Sequence, residues 1–163
     1  MPIVLIRVDE RLIHGQVIVG WGGRLHADRI VVIDDELARS SWEQELYLLG
    51  VPPEVKASFV DVQQARDSFA EWRASPHRFI LLVRNLATLV AFAEGALLDG
   101  EEVNLGGLHH AAGRERLLPY LFLSREERAA LGGLAAAGVR IAARDLPASR
   151  AVPLDELLRG DAG

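Results

Sequence analysis

Three short, almost uninterrupted apolar runs stand out along the chain: IVLI at 3–6, IVVI at 30–33 and FILLV at 79–83. Runs of this length rich in β-branched residues read as strands covered by helices on both faces, because a strand open to water on one side would alternate polar and apolar positions. The same criteria give strands over Ile3 to Val8, Arg29 to Ile33, Val55 to Val60, Phe79 to Arg84, Val103 to Leu105, Leu118 to Leu123 and Val139 to Ala143.

Between the strands the period changes. Val62, Ala65, Phe69 and Trp72 recur at helical spacing behind Asp61 and Gln64, which stand as an N-cap and its reciprocal partner. Ser124 and Glu127 repeat the device ahead of Leu131 and Leu134, and Gly138 is placed to close that helix in a left-handed cap. Asn85 caps a further helix predicted from Leu86 to about Leu98, with Leu86, Leu89, Val90, Ala93 and Leu97 facing inward. Val17, Trp21 and Leu25 form one stripe of a helix from Gly15 to about Ala27. Its three glycines, Gly20, Gly22 and Gly23, each cost about 1 kcal/mol relative to alanine in a helix interior. They predict either close backbone packing or a helix that ends near Gly22, and the sequence leaves both open. Trp21, Trp42 and Trp72 are expected to pack against core or sheet.

Alternating strands and helices predict an α/β fold: a central, mainly parallel sheet of about seven strands flanked by helices on both faces. The length of 163 residues and the lack of any repeat or long linker predict a single domain over 1–163. The tail RGDAG is expected to fray.

The net charge is −5, which argues against a general nucleic-acid binder, since that function needs a basic face. Lys56 is the sole lysine, so arginine carries nearly all positive charge; this reads as a coding bias more than a functional one. Cysteine is absent, which excludes disulfides and thiolate metal sites. The N-terminus reaches acidic residues by Asp9 with no basic and long apolar leader, and no apolar run approaches the roughly 20 residues of a membrane span. A cytoplasmic protein is expected. Neither G-x-x-x-x-G-K-[ST] nor a strand-linked G-x-G-x-x-G occurs, so nucleotide binding has no motif behind it.

The candidate chemistry is in RLIHGQV at 11–17. His14 lies beyond the carboxyl end of the first strand, where ligands gather in open α/β sheets, and just before a helix N-terminus. Free amides and the helix dipole favour an anion there and disfavour a protonated imidazole, which suits a phosphoryl acceptor. Arg11 shares the loop and is better placed than Arg7 to reach the anion. Asp9 is expected to orient an arginine or the ring, and Glu10 has no assigned role. Position alone leaves open a loop histidine held by ordinary hydrogen bonds.

Other candidates weigh less. His109 and His110 are adjacent in sequence and point in different directions, which argues against joint metal ligation. They fit better in a loop near the phosphate site. Asp34, Asp35 and Glu36 read as a strand end leading into a helix more readily than as a magnesium site. Gly106 and Gly107 mark a tight turn or a close approach to phosphate. His26 and His77 read as surface or boundary residues.

RVDERLIHGQV, over 7–17, resembles the active-site segment of the IIB component of the mannose/fructose/sorbose family of the bacterial sugar phosphotransferase system. The likeness continues through RIVVIDDELA, PPEVKASFVDV, VNLGG and AGVRIAARDLP, and so covers nearly the whole chain. It implies that His14 is the phosphorylated residue, through Nδ1, that Arg11 contacts the phosphoryl group and that Asp9 supports the ring. Arg7, Arg11, Gly15, Gln16 and Arg84 are the expected phosphate-binding set. Arg84–Asn85–Leu86 departs from the Thr-Asn-Pro-like turn the family often shows, and LHHAAGRER at 108–116 falls in a more variable stretch.

What the resemblance implies is a protein-phosphohistidine–sugar phosphotransferase without metal or cofactor. It would accept a phosphoryl group from a IIA phosphohistidine and pass it to a sugar of the mannose, fructose, sorbose or amino-sugar class during uptake through membrane IIC and IID partners. Those partners would hold it at the inner face of the membrane. Two rivals are a regulatory relay phosphorylated on His14 without sugar transport and a non-catalytic binding module. The sequence leaves a homodimer open.

Overall fold

The computed structural model describes residues 2–159. Nine strands form: β1 (Ile3–Val8), β2 (Arg29–Ile33), β3 (Lys56–Val60), β4 (Phe79–Val83), β5 (Glu102–Leu105), β6 (Arg114–Leu118), β7 (Leu121–Ser124), β8 (Arg140–Ala143) and β9 (Val152–Pro153). Seven make one sheet in the order β3-β2-β4-β1-β5-β8-β9, all parallel except β9, which runs antiparallel to β8. A π-helical stretch, Gln16–Gly22, runs into a short α1 (Gly23–Leu25); the other helices are α2 (Ser41–Leu48), α3 (Val62–Ala74), α4 (Leu86–Phe92), α5 (Arg125–Ala136) and α6 (Leu154–Arg159).

The apolar runs behave as their composition dictates. In β2 and β4, Val31, Ile33, Leu81 and Val83 face one core with Phe69, Leu89, Phe92 and Leu131. Ile30, Val32, Ile80 and Leu82 face the other with Leu12, Val17, Trp21 and Leu37. Every residue of β4 is buried, as it must be for a strand with helices above and below. The caps read from sequence are all made: Asp61 with Gln64, Ser124 with Glu127, and Asn85 accepting from the Thr88 amide. Gly138 has φ 93°, and a Cβ there would run into the Asp99 carboxylate.

Some expectations fail, most for a local reason. The predicted strand Leu118 to Leu123 is not in the main sheet. Pro119 lacks an amide and breaks it, and the pieces fold as an antiparallel hairpin of β6 and β7, tied to the loop after β5 through Leu108. The seventh sheet strand is instead β9, two residues long and too short to show a period. The helix predicted to reach Leu98 ends at Phe92; a 3-10 turn with Gly95 at φ 69° follows, and Phe92 rather than Val90 faces the core. Trp42, expected to pack, is 66% exposed on α2. The glycines after His14 do not stop the helix at Gly22, and Gly20 lies close under Leu146. Of the tail RGDAG expected to fray, Arg159 closes α6, and Gly160 onward lies outside the described residues.

Because six strands run in parallel, the loops after β1, β2, β4, β5 and β8 emerge along one edge of the sheet. This brings together segments as far apart in sequence as Asp9 and Asp145.

Candidate active site

At the end of β1 the chain is pinned to both neighbouring strands. The Asp9 amide donates to Val83 O and the Glu10 amide to Gly107 O, each at 2.9 Å. A tight turn follows in which the Leu12 amide donates to Asp9 O at 2.9 Å. Leu12 has φ 55°, a left-handed conformation that costs a branched residue roughly 1–2 kcal/mol. Burial compensates, since Leu12 and Ile13 both sink into the core beneath the helix. The two side chains turn down, and His14 is left at the mouth, directly before the helix that starts at Gly15 and Gln16.

Below this loop is a buried arginine–aspartate pair. Arg7 Nε and Nη2 donate to Asp9 Oδ2 at 3.3 and 3.1 Å, and neither side chain is exposed. Arg7 Nη2 also reaches Asp145 O at 3.1 Å, and Nη1 reaches Arg144 O at 2.8 Å and the Asn104 side-chain oxygen. The Trp21 ring lies 5.2 Å from the Arg7 guanidinium carbon, and its Nε1 donates to Asp145 O at 3.1 Å. Burial pushes the Arg7 guanidinium below its ordinary value against the pull of Asp9. With its five N–H groups engaged, Arg7 has none left for an external anion, and its expected place among the phosphate contacts is corrected to that of a buried support for Asp9.

Asp9 Oδ1 accepts the Arg11 amide at 3.1 Å, and Oδ2 stands 3.7 Å from His14 Nε2. The other ring nitrogen, Nδ1, donates to the Leu12 carbonyl at 2.8 Å, which fixes the proton on Nδ1 because a carbonyl only accepts. His14 Nε2 is buried with no hydrogen-bond partner among the described residues. Buried polar atoms left unpartnered are rare and mark sites where the pairing is completed in another state. Arg11 is nearly half exposed and donates to the Gln16 side-chain oxygen at 2.9 Å. A Cβ on Gly15 would meet nothing within 4 Å, so there is open space above the helix start. Asp9, Arg11, His14, Gly15 and Gln16 are therefore brought together as expected.

Arg84 is not joined to them by any bond among the described residues. Its Nε and Nη2 fork onto Asp34 at 2.7 and 3.0 Å, linking the loops after β4 and β2. This pairing lowers the Asp34 carboxyl against its burial and raises Arg84. Asp34 also accepts the Glu36 and Leu37 amides, both at 3.0 Å. The acidic run thus serves as a turn and a brace. Among the described residues no group of three or more His, Asp or Glu side chains is placed to hold a metal ion.

Several residues around the site carry no sequence signal of their role. Glu10 binds the His109 amide at 3.0 Å and its ring Nδ1, and Arg114 lies 3.9 Å from Glu10 while forking onto Glu127 at 2.9 Å. Asn104, Trp21 and the Arg144–Asp145 backbone hold Arg7. Gly106 and Gly107 did signal a close approach, but to protein rather than phosphate: a Cβ on Gly106 would stand 2.7 Å from Arg7 Nε, and one on Gly107 3.6 Å from Asp9 Oδ1. His109 and His110 diverge as expected, the latter packing edge-on against Phe122.

An imidazole at the carboxyl edge of a parallel sheet, beside a buried carboxylate and near an arginine, is an arrangement suited to group transfer. The comparisons give the family. Residues 3–162 match the family model described as the sorbose subfamily IIB component of the phosphotransferase system, and the chain belongs to that family. It is 31% identical over 159 residues to the fructose-specific EIIB component of Bacillus subtilis, covering 98% of this chain and 97% of the relative. The mannose-specific EIIAB component of Escherichia coli is 28% identical over 158 residues, covering 97% of this chain but 49% of that longer protein. The crystal structure of manxB from Thermoanaerobacter tengcongensis superposes with a TM-score of 0.86 at 29% identity, over 96% of this chain and 95% of that one.

Proposed function

We propose that His14 accepts a phosphoryl group from a phosphohistidine of a IIA protein and passes it to a sugar handled by membrane IIC and IID partners. The observation that carries this reading is the His14 ring itself, which has one nitrogen buried and unpartnered beside the Arg7–Asp9 pair. A structural histidine in the same loop would have both nitrogens satisfied. The joint IIA and IIB naming of the mannose-specific relative supports a IIA donor.

In this reading Arg11 meets the phosphoryl oxygens, Gln16 holds Arg11, and the open space beside Gly15 at the start of the helix receives the group. Transfer between imidazoles needs alignment and charge stabilisation rather than covalent machinery, which fits so spare a site. Arg7 acts on Asp9 from below. Arg84 acts on its own loop, because Asp34 already takes its fork. The sugar is of the class that the relatives' names span, fructose, mannose, sorbose or an amino sugar.

The test is incubation with phosphoenolpyruvate, the general phosphotransferase proteins and a IIA donor, following acid-labile phosphate on the protein. Wild type is expected to be labelled and His14→Ala to be blank. Equal labelling of both would reject His14 as the acceptor. Sugar phosphate formed on adding IIC and IID separates transport from a regulatory relay.

A further inference from the structure

We infer that the outer face of α2 is the surface by which the protein docks on its permease, and that it receives a segment of a membrane subunit that is apolar on one face and basic around it. This rests on the sugar-transport reading above and adds the surface to it. None of the residues of α2 is buried. Its inner side is held by Tyr47, whose ring lies 6.1 Å from that of Phe59, and by Gln44, which donates to Leu37 O at 2.7 Å. The large apolar side chains point the other way. Trp42, Leu46 and Leu49 stand at i, i+4 and i+7, one stripe of a helix, and are 66%, 59% and 84% exposed, with Leu48 at 42% beside them. A single exposed leucine is ordinary, but four large apolar side chains within eight residues make a patch of the kind that marks an interaction site.

Charge decides what covers it. Glu43 and Glu45 are on the helix, Glu54 follows, and no lysine or arginine occurs between Arg39 and Lys56. A second copy packed about a two-fold axis would set Glu45, near the middle of the stripe, against its own counterpart. An anionic bilayer would repel the same carboxylates and the net charge of −5. A protein segment carrying apolar and basic side chains meets neither cost. Membrane proteins concentrate Lys and Arg in their short cytoplasmic loops and beside the ends of their spans, so a permease supplies that chemistry. The position also fits. β2 ends at the edge that carries His14, and β3 runs parallel to it, so α2 leads from that edge back toward the opposite one. A partner held on the outer face of α2 leaves the His14 edge open to the phosphodonor and to the sugar.

The test is Trp42→Ser combined with Leu46→Ser, two exposed positions whose change opens no core. Sugar phosphate formed by membrane vesicles carrying IIC and IID is measured against protein concentration. The double variant is expected to raise the apparent KM for the protein roughly 10–100-fold with kcat unchanged, as loss of an aromatic anchor at an interface does, while labelling from IIA keeps its wild-type rate. Glu45→Lys is expected to raise the same KM. An unchanged KM in the double variant would overturn the surface. So would an equal rise in the KM for IIA, which puts the donor there, or a wild-type dimer in sedimentation that the double variant abolishes, which puts a second copy there. Wild-type binding to phosphatidylserine vesicles without permease, lost in the double variant, would give the patch to the bilayer and overturn it too. Labelled wild type that yields no sugar phosphate would overturn the transport reading and this surface together.

Discussion

Arg7–Asp9 and Arg84–Asp34 are two arginine–aspartate forks at the same edge of one sheet, built from the ends of neighbouring parallel strands. In the second, Asp34 is saturated: two backbone amides and both arms of Arg84 use its oxygens, and the arginine is partly open to solvent. In the first, the arginine is the saturated partner and is wholly buried, while Asp9 Oδ2 retains capacity and faces the unpartnered nitrogen of His14. The same two kinds of side chain thus make a brace in one loop and, in the function proposed above, a support for His14 in the other. The difference is which member of the pair has valence left over and whether an imidazole stands within reach of it.

The sharpest way to break this contrast is to remove each arginine. Arg7→Leu leaves the buried Asp9 with only the half-exposed Arg11, 3.9 Å away, as countercharge, and a loss of about 3–5 kcal/mol in denaturant-measured stability is expected. Gly106→Ala attacks the same pair from above. The new methyl group needs space that the Arg7 guanidinium occupies, and Arg7 cannot move aside without losing bonds on every side. Overpacking of this kind costs about 1–3 kcal/mol, read from the shift in denaturation midpoint.

Arg84→Met should cost less, about 1–2 kcal/mol, because Asp34 keeps its two amide donors and some access to water. Asp34 also sets a pH dependence. Its folded carboxyl is lowered, so the unfolded chain takes up the proton first as pH falls. The stabilisation is complete above the ordinary carboxylate value of about 4 and is lost as pH falls through the lower folded value. Acid titration of stability should therefore be shallower in Arg84→Met than in wild type. Glu10→Gln is the mildest change. It weakens an exposed pairing with His109 and should alter stability by less than about 1 kcal/mol, with no loss of phosphoryl acceptance.

How much of this was legible in the sequence divides along the same line. Elements whose causes are local could be read: the two-faced strands, the capping boxes at Asp61 and Ser124, the left-handed Gly138, and His14 between a strand and a helix. The support around Arg7 could not. Its partners Asn104, Arg144 and Asp145 lie about a hundred residues or more away and meet it only because parallel strands deliver their loops to one edge. An arginine near a candidate histidine reads as an anion contact until its burial is known, and Arg7 is buried with its N–H groups taken by protein. Pro119 and the two-residue β9 show the other limit, where one missing amide or a very short strand changes sheet membership without changing the hydrophobic pattern.

The proposed role of His14 depends on where the phosphoryl group goes. Mass spectrometry of peptides from the phosphorylated protein, prepared and fragmented without acid, measures this directly. One phosphoryl unit on the peptide containing His14, localised to that residue and absent in His14→Ala, is the predicted result. A phosphoryl unit localised to His109, His110 or any residue other than His14 would contradict it.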